Sequence, residues 1–482
     1  MTPSPNWFAT LALLFWPIVV LWVYYTRPIN QATLWTILGA QLLLPVGAAI
    51  KFPGVPQFDK TSIPNLAALI GCMLVARSPL RVWSRFGFPE ALLLMSLVGP
   101  FITAQLNTDP IFLVGHILPA LDHYDALSTV VAQFLFLLPF FLGRQLLRSS
   151  ADTEVILRTL VIAGLIYSLP ILFELRVSPQ LHYWLYGYYP HEFIQQMRDG
   201  GYRAMVFMNH GLMVAFFVMT TVVAAAALWR MRANLLRLQP AGTVAYLSAI
   251  LVLCKSAAPM IYGSALVPLV RFTKPRFQLL IATVLVSTAL AYPMLRATGL
   301  FPTSSLINVS KSISRDRADS LAFRFENEDR LLERASHRFL FGWGRWGRSG
   351  IYDPESGKGT SVTDGRWIIT IGAFGLFGFL AEFGLLVFPV FHAASALKYA
   401  RSMYDKVNLA ALGLIVAINV VDLLPNAALT PWTWLLAGAL LGRAEALHAF
   451  AHHRIRFEHH ANVKLVGRAP RALRPIHPRR RK

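Results

Sequence analysis

Five side chains have the chemistry to handle a phosphorylated substrate and a proton: Arg203, in Gly200-Gly-Tyr-Arg-Ala204, with Arg324 and Arg330, and beside them His210 and Asp364. A guanidinium is a rigid, permanently charged fork that grips phosphate through two parallel hydrogen bonds, so converging arginines suit a diphosphate. Each arginine also has a plainer reading. Arg330 follows Glu326 by four residues, the spacing of an ion pair along a helix, and arginines near lipid snorkel toward water. His210, in Met208-Asn209-His210-Gly211, is a proton acceptor if it stands one or two turns inside the helix that follows Arg203, and otherwise hydrogen-bonded glue between helices. Asp364, in Thr363-Asp-Gly-Arg-Trp367, immediately precedes an apolar run. Partial burial there raises a carboxyl pKa and suits it to take a proton from a hydroxyl, whereas the same position is also that of a helix cap.

Several chemistries are excluded. The chain has no Gly-x-x-x-x-Gly-Lys-Ser/Thr, no Gly-x-Ser-x-Gly, no His-Glu-x-x-His and no Asp-x-Asp, so neither ATP, a bound metal nor any cofactor is expected. The two cysteines, Cys72 and Cys254, lie inside apolar segments and form no disulfide or thiolate framework. His448, His452, His453, His459 and His460 have metal-like density but fall in a basic tail, where they read as a solvated face.

The elements that must position these groups are membrane spans. With 55% hydrophobic and 14% charged residues, the chain has too little polar surface for a soluble globule. Apolar runs fall at 7–25, 32–50, 63–77, 87–107, 126–147, 155–174, 204–229, 241–255, 257–270, 277–297, 367–393, 408–424 and 430–448. Their lengths are those of helices and not of barrel strands, which predicts an all-α, polytopic transmembrane bundle of twelve or thirteen spans. The pair at 241–255 and 257–270 is short and divided by Lys255, Ser256 and Pro259, so it reads as a kinked hairpin. No Lys or Arg precedes Arg27, and the run Trp7–Tyr25 is expected as a retained first helix and not a cleaved leader.

Basic clusters around Arg77, Arg144, Arg230, Arg271 and Lys398, and the tail from Arg468 to Lys482, lie on one side if the spans alternate. The net charge of +21 is therefore read as topology, with no nucleic-acid partner, and the tail as a cytoplasmic segment able to meet anionic membrane lipids. This scheme makes the chain a multi-pass inner-membrane protein and leaves 108–125, 175–203 and 298–366 on the opposite, periplasmic face. There the three arginines stand where the positive-inside bias disfavours them and need a reason to be kept. The chain divides into spans and short loops (1–297), a long periplasmic loop (298–366), C-terminal spans (367–448) and a basic cytoplasmic tail (449–482). Within the long loop, Ser320–Arg330 reads as the start of an amphipathic helix. Gly342-Trp-Gly-Arg-Trp-Gly347 reads as tight turns whose aromatic faces meet either sugar rings or the membrane interface. Gly372, Gly375, Gly378 and Gly384 then permit close packing of the next span.

Taken together, Gly-Gly-Tyr-Arg203-Ala-Met-Val-Phe-Met-Asn-His210, Ser320-x-x-x-Arg324, Phe341-Gly-Trp-Gly344 and the glycine-rich span resemble the O-antigen polymerase and O-antigen ligase-like superfamily over 195–390. These are membrane glycosyltransferases that use undecaprenyl diphosphate-linked glycans. The resemblance implies that Arg203 and Arg324 hold the diphosphate, with Arg330 a third candidate, and that a base activates the acceptor without metal. Relatives carry a His-Asn pair near the end of the loop where this chain has Asp364-Gly365; Asp364 is the first candidate for the base and His210 the second. A polymerase of O-antigen or exopolysaccharide is the expected function, a ligase its nearest rival. A chain-length regulator or other polysaccharide export proteins would be its protein partners. From a different class, a transporter or flippase would also bury His210, Lys255 and Asp422, but the chain lacks a repeat and gathers its charge in a loop.

Overall fold

The computed structural model describes residues 4–52, 56–80, 86–198, 200–235, 238–313 and 315–466. The tail residues Arg468 to Lys482, and Arg81, Arg85 and Arg237 of the basic clusters, lie outside them, as do the side chains of His452, His453, His459 and His460.

The fold is an all-α helical bundle, 71% helical with almost no sheet. Each apolar run forms a helix: α1 (Trp7–Thr26), α2 (Ile29–Leu43), α3 (Ser62–Ile70, extended by a π-turn), α4 (Phe88–Gln105), α5 (His123–Leu146) and α6 (Ser150–Val177) come first. After the short α7 (Leu181–Tyr186) follow α8 (Gly211–Arg230), α9 (Pro240–Leu253), α10 (Ala257–Phe272) and α11 (Pro275–Ala297). The long loop contributes α12 (Thr303–Ile313) and α13 (Arg315–Ser336), before α14 (Arg366–Ala396), α15 (Met403–Asp422) and α16 (Pro431–Val466). Among the described residues, eight of these helices are long and apolar enough to cross a membrane, which makes the chain a multi-pass membrane protein. Among the described residues, sheet is confined to three two-stranded hairpins, β1–β2 (Ala49–Ile50 with Phe58–Asp59), β3–β4 (Ile111–Leu113 with His116–Leu118) and β5–β6 (Met197–Arg198 with Gly201–Tyr202).

α8 and α15 are buried nearly all round and form the axis of the bundle, as expected for helices apolar on every face. α9 and α10 pack on α8, α11 on α15, and α5 on α16. The α5–α16 crossing is close because Gly438 and Gly442, four apart, face the Phe140 and Arg144 carbonyls; a Cβ at either would overlap those backbone atoms. The hairpin expected at 241–270 is two helices broken at Lys255, which adopts φ +50°, while Pro259 sits harmlessly in the first turn of α10.

α2 ends at Leu43 and not near 50, α16 continues to Val466 and not to 448, and two further departures from the hydropathy reading bear on the site. α8 starts at Gly211 and not near 204, because Val206 takes φ +51° and the amides of Met205 and Val206 are claimed by the buried Glu174 carboxylate at 2.8 and 2.7 Å. His210 is therefore the N-cap of α8, not a residue one or two turns inside it. α14 is broken at Gly375 (φ +64°), where the chain from Phe339 to Gly344 lays its backbone against the helix. Trp343 and Gly344 donate to the carbonyls of Gly372 and Ala373, and Leu376 and Phe377 donate to those of Phe339 and Leu340. Irregular backbone at a span is stable only when its polar groups are paired in this way.

Candidate functional site

The ends of six helices meet at the end of the bundle that carries the long loop. Val46 after α2 donates to His182, Glu174 in α6 binds the segment before α8, and the amide of Arg366 in α14 donates to the Leu423 carbonyl after α15. Thr433 in α16 donates to Asn419 in α15 at 3.0 Å.

α13 lies over this end. Ala318, Phe325, Leu331 and Ala335 form its buried stripe, and the opposite face is charged. Glu328 anchors it: the carboxylate accepts from Tyr292 of α11 at 2.9 Å, pairs with Arg296 at 3.3 Å and receives Trp367 Nε1 of α14 at 3.4 Å. Burial pushes the Glu328 carboxyl up from its ordinary range, against these donors, which favour its ionised form. Arg296 also bonds Asp329 at 2.7 Å and the Phe325 carbonyl at 3.0 Å. One turn before this anchor, Arg324 is aimed at the bundle end, where its Nε meets Asp364 Oδ2 at 3.2 Å.

Asp364 makes no cap for α14, whose N-cap is Gly365. Arg366 in the first turn is held by Glu382 at 2.8 and 2.5 Å, with Thr370 donating to the same carboxylate at 2.9 Å. Behind Asp364, the last turn of α15 presents Asn419 and Asp422, three apart on one face, and the turn that follows the helix brings Asn426 onto Asp422. Asn426 Nδ2 donates to Asp422 Oδ1 at 3.0 Å, which leaves Oδ2 open to a further donor, and Asp422 itself is 7% exposed.

These groups line a cavity of about 400 Å³, together with His210, Asn209, His191 and Gln41. His210 Nδ1 accepts the Leu212 amide at 3.0 Å, so the proton of the neutral ring sits on Nε2. In this geometry His210 is a hydrogen-bond donor, and it can accept a proton only by giving up the cap. Its ring stands edge-on to that of His191, centroids 4.9 Å apart.

The structure thus brings Arg324, Asp364 and His210 together, and it places the other two arginines elsewhere. Arg203 is buried, with Nε and Nη2 donating to the Lys255 carbonyl at 3.2 and 3.1 Å, where it closes the C-terminal end of α9. Arg330 is exposed, touches Thr360 Oγ1 at 3.4 Å, and forms no ion pair with Glu326 among the described residues. Neither lines the cavity. The turn at Gly342–Gly347 is also structural at its first tryptophan: Trp343 is buried between Arg334 (3.6 Å) and Arg338 (4.6 Å), while the fully buried Arg348 donates to the carbonyls of Trp343, Pro119 and Asp109. Trp346 is exposed, with Nε1 on Asp125 at 2.9 Å.

Asp422 was not among the site residues read from sequence, nor were Asn419 and Asn426. The signal was present: an acid closing an apolar run, with an asparagine three residues before it and another four after. Among the described residues no group of three His, Cys, Asp or Glu is arranged to hold a metal ion. No protein-family model and no curated protein matches the chain.

Proposed function

We propose that the chain is a membrane glycosyltransferase of the polysaccharide-polymerase type, which moves a glycan from undecaprenyl diphosphate to an acceptor sugar hydroxyl on the periplasmic side. The observation that carries this reading is the convergence of one guanidinium, two carboxylates and a row of amides in a single 400 Å³ cavity at the end of the bundle that carries the long loop. That is a donor set for a sugar diphosphate beside groups able to take a proton, and a volume suited to a few sugar rings.

The diphosphate takes the Arg324 guanidinium bidentately, which draws it away from Asp364. The released carboxylate accepts the proton of the acceptor hydroxyl as its oxygen attacks the anomeric carbon. The bond from that carbon to the phosphate oxygen breaks, and undecaprenyl diphosphate leaves with the electron pair, its growing charge stabilised by Arg324 and by the donor on His210 Nε2. Asp422, held by Asn426, orients the acceptor hydroxyl from the inner wall. Arg203 supports the segment before α8 from outside the cavity.

The test is transfer by the full chain in lipid nanodiscs with an undecaprenyl diphosphate-linked oligosaccharide. A ladder of lengthened lipid-linked products supports the polymerase. Transfer of intact glycan only when lipid A core is supplied identifies a ligase, and movement of the lipid-linked glycan across a vesicle without new bonds identifies a flippase.

A further inference from the structure

Beside the main cavity lies a second one of about 170 Å³, and the two share Gln41, Asn209, Met213 and Thr430 in their walls. The annex is therefore an inner extension of the same site, with room for one sugar ring and not for a chain.

Its polar groups are unusually specific. Asn65 is 0% exposed, and donation from its Nδ2 to the Leu135 carbonyl at 2.9 Å fixes the amide, leaving Oδ1 an acceptor with no donor among the described residues. Gln41 Oε1 is buried and equally without a donor. Each such acceptor costs free energy until an N–H or O–H reaches it. Lys60, on the turn between β2 and α3, lines the same space; its Nζ donates to the carbonyls of Leu44 and Phe207, both at 2.7 Å. Those two bonds fix the ammonium and leave its third N–H. Among the described residues no carboxylate lies within 4.0 Å of it, since the neighbouring Asp59 is turned to the amides of Thr61 and Ser62. A buried ammonium without a counter-charge is costly, and a carboxylate supplied by a ligand would offset that cost.

Resting on the glycan-transfer reading, we infer that the annex is a subsite for one pyranose ring bearing a carboxylate, a uronate-type sugar. The carboxylate meets Lys60 Nζ, and ring hydroxyls donate to Asn65 Oδ1 and Gln41 Oε1. Ile37, Val46, Pro64 and Leu429 supply apolar wall that suits the faces of the ring, and Thr61, Asn209 and Thr430 add further polar groups at its edge. The substrate repeat unit therefore contains an acidic sugar next to the reacting bond.

Saturation-transfer NMR of the full chain in nanodiscs tests this with sodium D-glucuronate, D-glucose and sodium acetate as probes at pH 6.5. Glucuronate is expected to bind at least about tenfold tighter than glucose, which loses one charge-assisted hydrogen bond, and about tenfold tighter than acetate, which keeps the carboxylate but loses the ring and the hydroxyls that meet Asn65 and Gln41. Lys60→Met removes the preference while leaving the weak glucose signal, which reports an intact fold; Lys60→Arg retains much of it; Arg324→Ala leaves it unchanged. Equal binding of glucuronate and glucose, no binding of either, or a preference that survives Lys60→Met or disappears with Arg324→Ala would overturn the inference. The binding readout needs no turnover, so a chain that prefers glucuronate but transfers nothing refutes the glycosyltransferase and keeps the subsite, and the converse refutes the subsite alone.

Discussion

Replacing Arg324 by alanine separates a structural role from a chemical one. The Arg324–Asp364 contact is 3.2 Å long and both side chains are about a third exposed, 33% and 36%. Such a water-screened pair contributes about 0–1 kcal/mol to folding. α13 is also fixed independently through Glu328 and Arg296, so Arg324→Ala should leave the helix docked and shift thermal unfolding by no more than a few degrees. If the guanidinium meets the leaving diphosphate, its loss removes a preorganised charged donor from the transition state, worth about 2.7–4 kcal/mol or a factor of about 10²–10³ in kcat. Arg324→Lys keeps the charge but loses the fork and should fall between. The assay is initial-rate transfer in nanodiscs, with unfolding followed on the same preparations by tryptophan fluorescence. A loss of less than about tenfold, or a rate loss matched by collapse of the thermal transition, would refute the assignment.

Five further outcomes are expected. Asp364→Asn should lower kcat by about 10²–10⁴ at normal membrane abundance, whereas Asp422→Asn should act mainly on the acceptor KM, both read from transfer kinetics. Arg203→Ala should lower the unfolding temperature by leaving the Lys255 carbonyl without its charged donor, with donor KM little changed. Gly375→Ala should deplete the protein from membranes on an immunoblot, because φ +64° is strained for alanine and a Cβ would overlap the Leu340 backbone. Burial lowers the Lys60 ammonium from 10.5 to about 7, so between those values the unfolded chain holds a proton that the folded chain lacks. Stability should therefore rise from pH 7 toward 10.5, and Lys60→Met should lose that slope in unfolding scans.

The helices were legible because an apolar run in lipid has no other stable form: each of the thirteen runs forms a helix, and among the described residues eight helices are long and apolar enough to cross a membrane. The start of α8 was not legible. Residues 204–208 are as apolar as a span, and what unwinds them is a carboxylate thirty residues earlier, Glu174, taking two amides. The amphipathic stripe of α13 was visible in its spacing, but its anchor is the buried Glu328, which hydropathy reads as surface. Arg324, Asp364 and His210 were among five candidates chosen by residue type and order, and that these three line one cavity was not legible. Arg203 could not be sorted from them, because its partner is a backbone carbonyl presented by the left-handed turn at Lys255, a feature that no side-chain pattern announces. Asp422 was visible as an acid closing an apolar run, Gly342 as a tight turn and Gly375 as a close contact, though the last two not as a broken helix paired to a loop.

The central claim is that this cavity joins lipid-linked glycan units, and deletion of the gene in its host tests it most directly, with surface and secreted polysaccharide measured in a background free of redundant homologues. Polysaccharide is expected to be lost in the deletion and restored by wild type, but not by Arg324→Ala or Asp364→Asn at equal membrane abundance. Unchanged polysaccharide in the deletion, or full restoration by both variants, would contradict it.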